Sequence, residues 1–516
     1  MNYLLRQPWR AARRYYEAGA WTGDTVPGLI RAWAAQAPDR LAIAEPGRRV
    51  SYASLAAAVE RAAADLAAAG VDRGDAVLVR MPDSAGFVAA SVAAHAVQGV
   101  AVPVAASAGE LEVASIVARV RPRAYAGPAQ DWPCLAGLHH LSLADPAMWL
   151  PGAPPLRGYD PDPDALMEIM FTSGTTGRAK GVMNSANTKL AGVRGWQEVF
   201  GLTPDDVCGL VAPLHHNAGW GYSYLVALQA GASAAVVGRG DPERMLDVLA
   251  GESVTMTFLV PTHVTDLLTA WRQQPGRWKL RLRYVMTGGA GVPAEVVAGI
   301  IDEWGAEPII GYGMTEAQSV LFPRPGDSRA VRTTTVGRPC PGVAIDIRSP
   351  LDGRTVTGDG VTGEVLVSGP TVCLGYYDDQ AATDAAFTKD GWLRSGDLGE
   401  YIGGQVRIVG RIKEVILRGG ATIVPGDVEA GLAGCPGVQE LAVCGLPDDR
   451  LGELICACAV GPATLAELHD YLARRGIGRG LWPDVLIRLD SFPRTALGKI
   501  QRAELAALAA QHRDPG

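Results

Sequence analysis

Helical and strand-like apolar segments alternate from the first hundred residues onward, and this alternation limits the chain to few architectures. Leu55, Val59, Ala62 and Leu66 recur at helical spacing, Gly70 stops that helix, and a turn at 72–75 leads into the apolar run 76–79. A second unit runs through 89–97 into Gly99-Val100-Ala101-Val102-Pro103. Later segments predict strands over 165–171, 207–212 and 234–237 and helices over 187–200 and 222–229. Such repetition calls for an α/β fold of largely parallel sheets covered by helices. From about Pro339 the texture changes to short alternating segments such as 343–347 and 363–367, which suit antiparallel strands or a small barrel. After Gly410-Arg411 mixed α/β returns, with strands over 438–444 and 454–460 and a helix over 465–475. A domain boundary is therefore expected near Arg411, and 151–163 reads as a proline-rich surface loop.

At 516 residues the chain exceeds what one compact core holds. Its net charge of −7 comes from 47 basic and 54 acidic residues mixed along the sequence, which argues against a nucleic-acid partner. No apolar run approaches a membrane span. The segment carrying Arg6, Arg10, Arg13 and Arg14 lacks the apolar core of a signal peptide, and Trp9, Tyr15, Tyr16 and Trp21 read as packed residues. The eight scattered cysteines form no CxxC pair. They read as buried free thiols of a cytoplasmic protein, and the spacing of Cys456 and Cys458 suits a strand better than a metal site.

Residues 170–183 read Met-Phe-Thr-Ser-Gly-Thr-Thr-Gly-Arg-Ala-Lys-Gly-Val-Met. Four hydroxyls (Thr172, Ser173, Thr175, Thr176), Gly174, Gly177 and Lys180 follow a strand end, where α/β sheets place ligands. Glycines let backbone N–H groups approach an anion, hydroxyls add donors and the lysine adds charge: the equipment of a polyphosphate cradle. It is not the standard P-loop, because Lys180 is followed by Gly181. A second cluster is Ile310-Gly311-Tyr312-Gly313-Met314-Thr315-Glu316, where Tyr312 between glycines suits a nucleobase, Thr315 a phosphate oxygen and Glu316 a Mg²⁺ ion. Gly288-Gly289-Ala290 offers more bare backbone after a strand. Asp397 has the chemistry to grip ribose hydroxyls, and Arg411, Lys413 and Lys499 complete the ordered set.

From about Trp21 to Arg502 this set resembles the acyl-adenylate-forming superfamily, which includes acyl-CoA synthetases and aryl-acid activating enzymes. The resemblance implies a large N-terminal domain (1–410) of stacked, mostly parallel sheets plus a small β-barrel-like part, and a small mobile α/β C-terminal domain (411–516). It implies that Thr172, Ser173, Gly174, Thr175, Thr176, Gly177 and Lys180 hold the β- and γ-phosphates of ATP. Tyr312 would stack on adenine in a pocket lined by Gly289 and Ala290, Thr315 would touch the α-phosphate, Glu316 would serve Mg²⁺, and Asp397 and Arg411 would hold the ribose. Lys413 matches the hinge of the C-terminal domain. Lys499 matches the lysine bridging carboxylate and α-phosphate, and His216 the gate beside the acyl site. Ala179, Thr422, Asp427 and Leu497 replace the usual Pro, Asn, Glu and small polar residue, and Thr422 and Leu497 bear on the second half-reaction more than on the first.

These residues suit a carboxylate attacking the α-phosphorus of ATP with loss of pyrophosphate. The task is charge neutralisation and alignment, and no general base is needed because the carboxylate is already ionised. His216, Asn217, Trp220, Gly288 and Gly313 are expected at the acyl site, with Trp220 and Tyr222 favouring an aromatic, alicyclic or short acid. The thiol acceptor is expected in trans, as CoA. The alternatives are a carrier protein or another nucleophile, an unusual oxyanion substrate such as nitrite, and a non-enzymatic ligand sensor. Homodimerisation is left open.

Overall fold

The computed structural model describes residues 9–154, 156, 161–172, 179–288, 292–350, 352–419, 421–494 and 500–512. The chain packs as two compact units, Met1–Ala344 with Val367–Leu393, and Ile345–Leu366 with Arg394–Gly516. No helix among the described residues is long and apolar enough to cross a membrane.

The first unit holds two large sheets. One runs, edge to edge, through Arg338–Pro339, Gln318–Phe322, Glu307–Met314, Tyr284–Gly288, Met256–Phe258, Val207–Leu210, Ser233–Val236, Leu41–Glu45 and Arg48–Ser51. The other runs through Gly375–Tyr376, Lys180–Ser185, Leu166–Thr172, Val100–Pro103, Ala76–Val79, Ala124–Ala126 and His139–Leu141. Their central pairings are parallel, and antiparallel strands sit toward the edges. Burial follows: all four residues of Ala76–Val79 are buried, as a strand covered on both faces requires. Side-chain caps start the helices at the expected places. Ser51 and Ser84 accept from Ser54 and Phe87 N–H at the heads of Tyr52–Ala68 and Ala85–Ala96, and Ser185 forms a capping box with Thr188 before Ala186–Phe200. Tyr15 and Trp21 are buried with ring centroids 5.1 Å apart, as the aromatic N-terminal segment suggests.

The helix expected over 222–229 departs from regularity. Residues Trp220–Leu225 form a π-helical turn before Val226–Ala230, a local widening that recurs at functional sites. Gly219 sets its entry: a Cβ there would lie 2.3 Å from the carbonyl oxygens of Ala212 and Pro213, so only glycine allows the chain to double back.

The second unit includes most of a four-stranded sheet ordered Ala344–Arg348, Gly363–Ser368, Leu393–Ile402 and Gln405–Arg411. It also holds a five-stranded sheet in which Glu440–Asp448 and Gly452–Val460 form a long antiparallel pair. Ile416, Val428, Leu432, Val443, Ile455 and Leu468 build the core between that sheet and its helices. Packing thus groups residues 394–410 with the C-terminal segment.

Candidate active site

Strands Leu166–Thr172 and Lys180–Ser185 are antiparallel, with Thr172 directly opposite Lys180. The ends of the hydroxyl-rich loop are therefore pinned side by side, and Thr172 Oγ1 donates to the Lys180 carbonyl at 3.4 Å. Lys180 Nζ stands 4.7 Å from the ring centroid of Tyr376, within range of a cation–π attraction. Tyr376 Oη donates to Glu316 Oε1 at 2.8 Å. Burial first, and then the Glu316 charge, push the Tyr376 phenol far above its ordinary value, so it remains a donor at any working pH. Tyr376 is thus the link that brings Lys180 and Glu316 to one place.

Glu316 lies in the turn between Glu307–Met314 and Gln318–Phe322, and its carbonyl accepts from Cys373 N–H at 2.7 Å. Tyr312 and Gly313 sit on the first of these strands, where Gly288 is paired with Gly311. The bareness of Gly313 has a use beyond exposing Tyr312. A Cβ there would stand 2.2 Å from Tyr222 Oη and 2.3 Å from the Gln318 carbonyl, so Gly313 makes room for the Tyr222–Gln318 hydrogen bond at 2.6 Å. Thr315 contributes its carbonyl, which accepts from Gln318 Nε2 at 3.2 Å.

The segment carrying His216 is held from below. Asp83, a partly buried carboxylate, accepts from Leu214 N–H at 2.7 Å, and burial pushes its pKa above the usual carboxylate range. The rings of His215 and His216 lie 4.3 Å apart, and burial pushes His215 down to about 3, so it stays neutral. Trp220 stacks on Tyr224 at 5.1 Å and Tyr222 on Phe258 at 6.3 Å, giving flat aromatic walls.

A buried polar network draws in Asn217, expected at the acyl site, together with residues that the sequence did not single out. Lys189 Nζ, fully buried, meets Glu168 Oε1 at 2.8 Å, Asn217 Oδ1 at 2.7 Å and Gln318 Oε1 at 3.2 Å. Gln318 Nε2 then reaches Asn184 Oδ1 at 3.2 Å. Burial pushes the Glu168 carboxyl up and the Lys189 ammonium down, and their mutual attraction opposes both shifts. An ammonium only donates, so it fixes which end of each amide it meets. With Oδ1 committed to Lys189, Asn217 is left with its NH₂ edge toward Tyr222.

In the second unit, Asp397 and Arg411 face each other on strands Leu393–Ile402 and Gln405–Arg411, with Arg411 Nε 2.9 Å from Asp397 Oδ1. The Asp397 side chain is almost wholly buried, while Arg411 is half exposed. Lys413 lies in the single 3-10 turn Ile412–Glu414 that follows. Ser173, Gly174, Thr175, Thr176, Gly177, Gly289, Ala290 and Lys499 lie outside the described residues.

Residues 30–377 match the family model for the AMP-binding enzyme, and residues 427–499 match the AMP-binding enzyme C-terminal domain. The chain belongs to the AMP-binding enzyme family. Among its relatives is the 3-[(3aS,4S,7aS)-7a-methyl-1,5-dioxo-octahydro-1H-inden-4-yl]propanoyl:CoA ligase of Mycobacterium tuberculosis, 32% identical over 94% of this chain and 99% of that protein. The salicyl-AMP ligase / salicyl-S-ArCP synthetase of the same organism is 33% identical over 95% of this chain and 92% of its own length. Among solved structures, ATP-bound MatB from Rhodopseudomonas palustris superposes with a TM-score of 0.85 at 26% identity, covering 94% of this chain and 99% of that one. The chain is an AMP-forming acid–thiol ligase of this superfamily, with the mixed α/β fold and small C-terminal domain that the resemblance implies.

Proposed function

We propose that this AMP-binding enzyme activates a ring-bearing carboxylic acid with a hydrogen-bond acceptor near the ring, forming an acyl-AMP that is passed to the thiol of CoA. The observation carrying the substrate class is the Lys189–Asn217 contact at 2.7 Å, which commits Oδ1 and leaves the donating edge of the Asn217 amide on the side of Tyr222, whose ring stacks on Phe258. Tyr222 takes one N–H of that amide, a ring hydroxyl or keto oxygen takes the other, and an aliphatic chain offers it no partner, a difference of about 1–3 kcal/mol. The salicyl and oxo-indanyl acids named for the two relatives carry such oxygens beside or within a ring.

In the reaction, the loop closed by Thr172 and Lys180, with Ser173, Gly174, Thr175, Thr176 and Gly177, holds the leaving pyrophosphate. Tyr312, Gly289 and Ala290 take the adenine, and Asp397 with Arg411 the ribose. Thr315 and Lys499 flank the α-phosphate and the attacking carboxylate. Glu316 is a hard oxygen donor whose Oε1 is steadied by Tyr376, a donor set that fits Mg²⁺. Mg²⁺ supplies charge neutralisation of the triphosphate when bound. The attacking acid is already a carboxylate, so Lys180 and Lys499 act by electrostatics and alignment, with no proton to move. The lid begins at Lys413, and its rotation exchanges Lys499 for the Gly419 loop at the thioester stage.

Incubation with ATP·Mg²⁺, a panel of acids and hydroxylamine, with and without CoA, tests this reading. Acyl-hydroxamate from hydroxy- or keto-substituted ring acids, and CoA consumption with the same acids, are expected. Pyrophosphate release without CoA consumption favours carrier loading, the chemistry named for the salicyl relative. Preference for straight-chain acids contradicts the assignment.

A further inference from the structure

The second unit carries another cluster of reactive side chains, remote in the sequence from the nucleotide motifs. On the antiparallel strands Glu440–Asp448 and Gly452–Val460, Cys444 pairs with Cys456, and Ala442 with Cys458. Strand alternation puts Cys456 and Cys458 on one face, and cross-strand pairing adds Cys444 to it. Cys458 Sγ lies 3.9 Å from both Cys444 Sγ and Cys456 Sγ, and the three sulfurs fall within 4.8 Å of one another. All three are buried beside Leu446, Ile487, Phe492 and Leu505.

Three small apolar residues would fill this space equally well, so packing alone does not require sulfur. Two further observations point to a ligand. Two of the sulfur–sulfur distances are 3.9 Å, and three sulfurs set about 2.3 Å from a central metal ion in one plane stand roughly 4 Å apart. A cation also sits behind them: Arg502 Nη1 donates to the Val443 carbonyl at 2.7 Å, next to Cys444, and is held there by Glu429 at 2.7 Å and Glu414 at 3.1 Å.

We propose that Cys444, Cys456 and Cys458 form a three-thiolate site for a soft, univalent metal ion of the cuprous class. Sulfur donors select Cu(I) and Zn(II) among the common ions. Among the described residues no histidine or carboxylate joins the three sulfurs, so a tetrahedral Zn(II) ion lacks its fourth protein ligand, whereas a three-coordinate ion is complete. Binding releases thiol protons to solvent and changes no oxidation state. It ties two nine-residue strands of the unit together beside Arg502, three positions after Lys499 in the sequence.

The test is anaerobic titration of the reduced full-length protein with Cu(I), supplied as its acetonitrile complex, against a chromogenic Cu(I) chelator. The intact protein and a Cys134→Ser control are expected to retain one equivalent. Cys456→Ser and Cys458→Ser are expected to bind it roughly 100-fold more weakly or worse, since even loss of an outer-sphere partner costs up to that much. X-ray absorption of the loaded intact protein keeps the test independent of variant folding: three sulfurs at about 2.3 Å are expected. Equal retention in the serine variants, a two-coordinate or nitrogen/oxygen spectrum, or a Cys444–Cys456 disulfide found on peptide mapping of air-exposed and metal-exposed samples alike would each overturn the site.

Discussion

Tyr376 donates its phenol hydrogen to Glu316 at 2.8 Å while its ring lies 4.7 Å from the Lys180 ammonium. One side chain on a two-residue strand thus positions the proposed metal carboxylate and the pyrophosphate lysine together. Tyr376→Phe keeps the ring and removes the donor. A hydrogen bond to a charged group contributes about 1.5–3 kcal/mol, so ATP–pyrophosphate exchange should fall by about tenfold or more, with a higher Mg²⁺ concentration needed for half-maximal rate. Exchange measured across a Mg²⁺ series checks this, and an unchanged Mg²⁺ profile argues against the positioning role.

The Lys189–Glu168 pair predicts an asymmetry in stability. Lys189→Met leaves Glu168 without its cation in a wholly buried site, held by Asn184, and should cost about 3–5 kcal/mol. The double variant Lys189→Met/Glu168→Leu should recover much of that loss, because no uncompensated charge remains. Urea unfolding of the intact protein and of both variants measures the difference. A double variant as unstable as the single one contradicts the ion-pair account.

How much of this was legible in the sequence depends on the scale of the pattern. The helices over Tyr52–Ala68 and Ala186–Phe200 and the strand over Ala76–Val79 follow from apolar periodicity because each buries a regular face. Lys180 and Glu316 were legible because catalytic motifs concentrate unusual residue types in short windows. Tyr376 was not, since it lies 60 positions from its partner and only sheet pairing with Val182 brings it there. Lys189 stands in a helix whose surroundings are apolar, and a single lysine gives no sign of facing inward. Its partners Glu168 and Gln318 come from two different sheets. The one advance signal was Glu168 within an otherwise apolar strand segment. The cysteine triad was split by the same long-range pairing, which set Cys444 opposite Cys456.

His95 should govern part of the acid limb of stability. Burial pushes it from the ordinary imidazole value of 6.5 down to about 4, and neither ring nitrogen has a hydrogen-bond partner. The unfolded chain therefore binds a proton below pH 6.5 that the folded chain refuses until about pH 4. This stability is complete above pH 6.5 and lost as pH falls, on the order of 3 kcal/mol by pH 4. His215, held down to about 3, acts in the same direction. A His95→Leu variant should show a shallower loss between these limits in pH-dependent denaturation, and an unchanged slope contradicts the assignment.

Asn217→Leu removes the donor that the substrate proposal rests on. Relative kcat/KM for an ortho-hydroxylated ring acid over its unsubstituted parent should fall by roughly 10- to 100-fold, with the parent acid little affected. Competition assays with the acid pair measure it. Equal losses for both acids indicate that Asn217 serves the loop rather than the substrate.

The central claim is that the acid attacks the α-phosphorus of ATP. It is tested most directly by supplying a turned-over acid with both carboxylate oxygens labelled as ¹⁸O, then analysing the nucleotide after thioester formation. Attack at the α-phosphorus transfers one labelled oxygen to AMP, so AMP carrying one ¹⁸O beside unlabelled pyrophosphate is the predicted result. Label in inorganic phosphate, with ADP as the nucleotide product, would mean attack at the γ-phosphorus and contradict the account.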